Sequence, residues 1–320
     1  MKRAIAVTFI LLLAWTAAAE PLHLVLLHSN DSHGTLLAPD AGNTPGDTGG
    51  IARVATVIRQ TREENPGNVL VLHAGDVLSR GDALTQVYRG RLNFQLMQQI
   101  GYDVFTPGNG DFYGGVDRLM ACRRATSIDF IKADAKLKSN GRTLLPPYIV
   151  KKVDGVRIAI LGLGVVRGHL PSAAPLNLLD SIETAKRYVP KLRKKADIVI
   201  VLSHLGLKTD QLLAAQVPGI DLIVGGHSHN ELFEPLRLTG PGGRAVTVAQ
   251  AGNLDCFVGR LDLHLDKSKE GVRIERVEGR LIAMDATVTP DPRTMNTLQG
   301  KLKRIAEPAS AKLESLKPAA

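Results

Sequence analysis

The chain has 320 residues, of which 44% are hydrophobic, enough to bury one large core or two average ones. Its formal charge is +9, but aromatics are only 4% and do not interleave with the basic residues, which argues against a nucleic-acid polymer as partner. Two cysteines, Cys122 and Cys256, are too few for a disulfide-built scaffold; they either pair or stay apart as buried thiols. Lys2 and Arg3 stand before the apolar run 4–15, and Ala17, Ala18 and Ala19 follow, the pattern of an export leader with a small-residue cleavage site. The run is shorter than the roughly 20 residues of a spanning helix, so a membrane anchor is the weaker alternative and no span is expected after cleavage. Residues 1–19 therefore read as a signal peptide, with Glu20 starting a periplasmic or secreted chain of formal charge +7. The remaining basic residues are dispersed, and Arg123, Arg124 and residues 191–195 read as exposed helix faces.

An apolar run beginning at Val25 ends abruptly in a polar cluster containing Asp31 and His33. Side chains two apart on a strand continuation point the same way, so these two are placed to clamp one ion. Residues 36–49 read as a loop; Ile51, Val54, Val57, Ile58 and Thr61 mark a helix that Asn65, Pro66 and Gly67 stop. A strand over 69–73 leads to Asp76, a helix covers 84–100, a strand over 103–106 opens towards Asn109, and a third helix spans 116–125. Residues 129–133 read as a strand, and 148–153 with 156–161 as a hairpin turning at Asp154 and Gly155. A helix over 181–196, a strand over 198–202 ending near His204, a short helix near 210–216 and a strand over 221–224 follow. Three β segments (245–251, 257–265, 272–282) and a helix carrying Met295, Leu298, Leu302 and Ile305 complete the chain, with a frayed end after 307. Helices alternating with strands, then hairpins, predict an α/β fold: two packed sheets with helices outside, in one mixed domain.

Taken singly, the candidate site residues have ordinary alternatives. Asp76 suits a turn or cap, and His204 suits a hydrogen-bonded core position. His227 and His229, behind Gly225 and Gly226, form a His-x-His pair that is common by chance. Jointly, Asp31, His33, Asp76, Asn109, His204, His227 and His229 all follow strand-like runs, and their mixed oxygen and nitrogen donors match a dinuclear metal site. The other histidines, His23, His28, His73, His169 and His264, lack a partner pattern and read as structural.

Residues 27–34, Gly75-Asp76, Gly108-Asn109, Ser203-His204-Leu205-Gly206 and residues 225–229, in this order, resemble the metallophosphoesterase (calcineurin-like) superfamily. Within it the chain is most similar to the catalytic domain of secreted bacterial 5′-nucleotidases, over about residues 22–285, including residues 49–53 and 221–226. The resemblance implies a four-layer αββα sandwich of two mixed β-sheets flanked by helices. It also implies two divalent ions, with Asp31, His33 and His229 on one, Asn109, His204 and His227 on the other, and Asp76 bridging. Such donor sets suit Mn, Zn or Fe. The implied activity is hydrolysis of a phosphorylated small molecule, an ester or anhydride. The family's catalytic His and the acid that orients it fall on Gly110 and Tyr113, so no catalytic residue is certain, and Asp111 is a further candidate. A slow enzyme is expected. A thiosulfohydrolase-like sulfur-ester hydrolase and a metal-binding pseudoenzyme that recognises an anion or a partner are the alternatives. The expected organisation is a catalytic domain over 20–285 and a helical tail over 286–320, without the family's base-stacking C-terminal domain. A partner chain supplying the missing substrate contacts would fit that layout.

Overall fold

In the computed structural model of the protein, residues 22–38, 48–268 and 271–314 are described. The leader of residues 1–19, the middle of the 36–49 loop and the end of the tail lie outside them. The first part runs β1 (Leu22–Ser29), α1 (Ile51–Glu64), β2 (Val69–His73), α2 (Ala83–Val87), α3 (Arg91–Ile100), β3 (Val104–Phe105), α4 (Val116–Arg124) and β4 (Asp129–Phe130). The middle holds β5 (Ala135–Leu137), β6 (Tyr148–Val153), β7 (Val156–Gly164) and β8 (Leu176–Leu178). Then come α5 (Ser181–Arg193), β9 (Ile198–His204), α6 (Leu207–Gln216), β10 (Leu222–Val224), β11 (Leu236–Thr239), β12 (Ala245–Ala249), β13 (Phe257–Ser268), β14 (Gly271–Ala283) and α7 (Pro292–Glu314).

One sheet has the order β14-β13-β1-β2-β3-β4, with β1 to β4 parallel and β13 and β14 antiparallel. The other has the order β11-β12-β10-β9-β7-β6, parallel in the centre and antiparallel at both edges. The alternation of side chains along each strand builds the layers. Leu24, Leu26, Leu70 and Leu72 share a core between the sheets with Ile158, Ile160, Ile200 and Leu202. Val25, Leu27, Val69 and Val71 on the opposite face share a core with Val54 and Ile58 of α1 and Leu96 of α3. Behind the second sheet, Leu161, Val199, Val201 and Ile223 share one with Val189 and Leu192 of α5 and Leu213 of α6. Strands buried on both faces read as unbroken apolar runs, which is why β1, β2 and β9 were legible. The result is the expected αββα sandwich, with the carboxyl ends of β1, β2, β3, β9 and β10 all leading to site loops.

Several boundaries differ from the sequence reading. The helix expected over 84–100 is two helices, broken where Arg89 and Gly90 take φ of 51° and 81°. A Cβ at Gly90 would run into the Leu78 side chain. The strand expected over 129–133 stops at Phe130, and Lys132 is fully buried, with Nζ 2.6 Å from the Gly164 carbonyl and 2.8 Å from Asp134. β5, β8 and β11 were not read at all; each is three or four residues long. Lys191, Lys194 and Lys195 are exposed as expected, but Arg193 is paired with Asp221 at 2.7 Å. In α7, Leu298 is buried in the core that α1 and α3 share with the first sheet, with Met295, Leu302 and Ile305 packed against it. Asp291 just ahead of α7 pairs with Arg59 of α1. Both cysteines are free thiols, with Cys122 buried. Among the described residues, no helix is long and apolar enough to cross a membrane.

Candidate metal centre

β1 ends at Ser29, so Asp31 and His33 are not on an extended continuation of it. They take φ of 52° and 50°, and Asp76, His227 and His229 take 59°, 76° and 55°. Five candidate ligands thus sit in the left-handed region that side-chain-bearing residues rarely occupy, a strain of order 1–3 kcal/mol each that clusters at functional sites. The turns hold one another: Asp31 N–H donates to the Gly75 carbonyl at 2.9 Å and His33 N–H to the Asp76 carbonyl at 2.8 Å.

The turns bring five of the candidates together as two adjoining groups, Asp31, His33 and His229 in one and Asp31, Asp76 and His204 in the other, with His227 packed beside His204. Asp31 Oδ1 lies 3.3 Å from His229 Nε2 and 3.8 Å from His33 Nε2, and the two Nε2 atoms are 3.0 Å apart. In the second group, His204 Nε2 is 3.4 Å from Asp76 Oδ1 and 3.8 Å from Asp31 Oδ1. The His227 ring stands edge-on to His204, 5.2 Å between centroids. Asp76 Oδ2 is also 3.9 Å from His33 Nδ1, so this carboxylate faces both groups. The i, i+2 histidines are therefore divided: His229 packs with His33 and His227 with His204.

Several donors are held by a partner that leaves one atom free. His204 Nδ1–H donates to the Ala74 carbonyl at 2.6 Å, which fixes the tautomer and leaves the Nε2 lone pair available. Asp31 Oδ2 accepts from His227 N–H at 2.8 Å and from Asn30 Nδ2 at 2.9 Å. Asn109 Nδ2 donates to Tyr113 Oη at 2.7 Å. What remains is Asp31 Oδ1, His204 Nε2 and Asn109 Oδ1, all buried and without a hydrogen-bond partner. Buried acceptors left open are costly unless a cation meets them, and carboxylate, amide and imidazole donors suit a borderline divalent ion. Charge points the same way. Burial pushes the Asp31 carboxyl up, but the His229 imidazole 3.3 Å from it and the His204 charge outweigh that and hold it at about 2. Burial likewise opposes ionisation of Asp76, but the His204 imidazole 3.4 Å away keeps it below the usual carboxylate range. His204, despite burial, is raised to about 9 by Asp76 and Asp31, so without a metal Nε2 carries a proton, which a cation would displace to use its lone pair. The carboxylates stay ionised and demand positive charge. The residues fit divalent metal.

Asp111 is not a candidate for chemistry. Its buried carboxylate accepts four backbone N–H groups: Val77 and Leu78 on Oδ1, Asp76 and Gly108 on Oδ2, at 2.8–2.9 Å. Burial and the Asp76 charge push it up to about 7, yet the four donors favour the ionised form, since a proton on either oxygen would displace one. Its work is to lock the Asp76 turn to the Asn109 turn. At Gly110 no side chain reaches the site, and a Cβ there would run into Ser79.

Three holding residues gave no sequence signal, and a fourth, Asn30, lies within the 27–34 motif but was not singled out. Ser79 Oγ is 2.5 Å from His33 Nδ1, and Asn253 Nδ2 is 3.1 Å from His229 Nδ1. Asn30 ties the Asp31 turn to Gly252 and Ala251, and Gln250 ties residues 226–230 to β12. Beside His33 opens a groove of about 430 Å³, lined by Thr35, Leu37, Arg80, Asp82 and Leu254. A separate cleft of about 260 Å³ among Arg237, Arg244, Arg273 and Arg276 lies before β10, at the end away from the ligands.

A family model described as calcineurin-like phosphoesterase matches residues 24–231, a stretch that contains all seven ligand candidates. The chain belongs to that family. Among relatives, 5′-nucleotidase from Bos taurus is 31% identical over 307 residues, covering 88% of this chain and 52% of that protein. A probable 5′-nucleotidase from Treponema pallidum is 29% identical, covering 78% and 46%. The solved 5′-nucleotidase precursor from Thermus thermophilus superposes with a TM-score of 0.77 at 27% identity, covering 89% of this chain and 59% of that one. A sulfate thiohydrolase from the same species gives 0.74 at 21% identity, a likeness of fold alone. The chain spans about half the length of the curated relatives it matches. The chain is therefore 5′-nucleotidase-like in fold and sequence.

Proposed function

We propose that the protein is a metal-dependent hydrolase of phosphorylated small molecules, esters or anhydrides, working with two divalent ions. Asp31, His33 and His229 would hold one ion and Asn109, His204 and His227 the other, with Asp76 shared. The observation that carries the reading is the set of three buried, partnerless acceptors, Asp31 Oδ1, His204 Nε2 and Asn109 Oδ1, at one strand-end site. Bound there, divalent ions supply Lewis acidity towards phosphoryl oxygen and lower the pKa of water. The chain's own residues orient the donors: Ala74 through His204, Asn30 through Asp31, Ser79 through His33, and Asp111 through both turns. Gly110 offers no side chain to protonate or stabilise a leaving oxygen, assistance worth roughly 10²–10⁴-fold, so turnover is slow and favours good leaving groups.

The leader pattern of residues 1–19 supports export to the periplasm or beyond. The catalytic unit is residues 20–285, with α7 seated on its α1 side. A second reading, a metal-binding pseudoenzyme for an anionic ligand, is favoured by Gly110 alone. The test is to assay Mn²⁺-, Zn²⁺- and Fe²⁺-loaded protein against a panel of phosphate esters and anhydrides, before and after chelation. Turnover abolished by chelator supports the hydrolase; silence across the panel with metal retained supports the pseudoenzyme.

A further inference from the structure

The loss of the family's His leaves a question of which group meets the substrate's oxygens on the Asn109 side. Gly110 cannot, and the space its Cβ would need is held by Ser79, whose hydroxyl is committed to His33 Nδ1 at 2.5 Å. Tyr113 is different. Its hydroxyl touches a ligand candidate, its side chain is among the exposed large hydrophobic ones, and it lies 43% open to solvent.

Hydrogen-bond bookkeeping then fixes where the Tyr113 proton points. An amide has one accepting oxygen and one donating nitrogen. Asn109 Oδ1 is buried and without a partner, and it is Nδ2 that meets Tyr113, so the 2.7 Å bond runs from Asn109 Nδ2–H to Tyr113 Oη. The phenol is the acceptor there, and its own hydrogen must lie on the other side of the oxygen. Among the described residues, no other hydrogen bond is made by that hydroxyl. The ring is braced by the Arg167 guanidinium, 5.8 Å from its centroid, which forms no ion pair among the described residues. A free O–H beside a ligand, flanked by an unpaired cation, is an anion-facing arrangement.

We propose that Tyr113 is a substrate-binding residue that donates its hydroxyl hydrogen bond to a phosphoryl oxygen, taking over part of the contact that Gly110 cannot make. This rests on the metallophosphoesterase reading above. It transfers no proton and changes no bond; it adds one charge-assisted hydrogen bond to the bound oxyanion.

The test uses the full chain loaded with Mn²⁺, inorganic phosphate as the probe, and the Tyr113→Phe variant, which keeps the ring beneath Arg167. Phosphate affinity is measured calorimetrically, and metal content by elemental analysis of the same samples. The expected result is unchanged metal content with phosphate bound roughly tenfold more weakly, the scale of one hydrogen bond to a charged group. Equal phosphate affinity in both proteins at equal metal content overturns the inference. So does a loss of metal by Tyr113→Phe, which would make the hydroxyl a positioning group for Asn109 only. A wild-type chain that takes up no Mn²⁺ overturns the underlying reading and this inference with it, and is seen before the variant is compared.

Discussion

Replacing Gly110 by alanine probes the position at which the family resemblance implies a histidine. Gly110 opens a short 3₁₀ turn and is not among the residues with positive φ, so an alanine meets no backbone barrier. The obstacle is steric: the new Cβ would run into Ser79 Cβ, lie 2.5 Å from Ser79 Oγ and sit 3.0 Å from Asp76 Oδ1. Forcing one methyl into a packed site costs about 1–3 kcal/mol. Ser79 has to move, and its 2.5 Å contact with His33 Nδ1 goes with it. Losing an outer partner of a ligand typically weakens metal affinity by about 10–100-fold. Gly110→Ala should therefore lower both stability, read by urea denaturation of metal-free protein, and Mn²⁺ affinity, read by titration. Adding Ser79→Gly should recover the stability but not the affinity, because the hydroxyl is gone. A Gly110→Ala protein as stable as wild type, with the same Mn²⁺ affinity, would refute the reasoning. The same geometry means that a His at 110 can restore leaving-group assistance only together with Ser79→Gly.

Asp111→Asn replaces two accepting oxygens by one, stranding two buried N–H groups at about 1–3 kcal/mol each; denaturation midpoints check this, and an unchanged midpoint contradicts the clamp. Between substrates, p-nitrophenyl phosphate should be turned over well ahead of an alkyl phosphate on the metal-loaded wild type, because an aryl oxide leaves without a proton; equal rates would count against missing leaving-group assistance. Burial raises the Asp255 carboxyl to about 7, so the folded state holds its proton longer than the unfolded state does. The Asp255 contribution to stability is then greatest below about pH 4, falls as pH rises and is flat above about 7, by up to about 4 kcal/mol. Asp255→Asn should remove that fall; metal-free protein denatured at pH 5 and pH 8 shows whether it does.

The layers were legible because β1, β2, β9 and the α1 face carry their burial pattern in consecutive residues. The seven ligand candidates were legible because each follows such a run. Their geometry was not: extended spacing suggested how Asp31 and His33 meet, whereas left-handed turns at both residues bring them together. That conformation is imposed by rungs to Gly75 and Asp76, residues more than 40 positions away. The helix over 84–100 was misread for a like reason, since a periodic apolar pattern continues across Gly90, where the backbone turns left-handed and only a residue without Cβ fits beside Leu78. Asp111 looked available because acid in a site loop suggests chemistry; only the fold shows four N–H groups converging on it. Ser79, Asn253 and Gln250 are common polar residues whose partners are remote in sequence or in a different turn, and no local pattern marks them; Asn30 lies in the 27–34 motif, but its partners Ala251 and Gly252 are more than 200 positions away.

The central claim is that these turns hold two divalent ions, and the direct measurement is elemental analysis of metal-reconstituted protein after exhaustive removal of loosely bound ions. About two ions per chain are expected for the wild type, on the pattern of two-metal sites, with Asp76→Ala losing most of both because its carboxylate faces both groups. One ion or fewer in the wild type, or an Asp76→Ala variant that retains two, would contradict it.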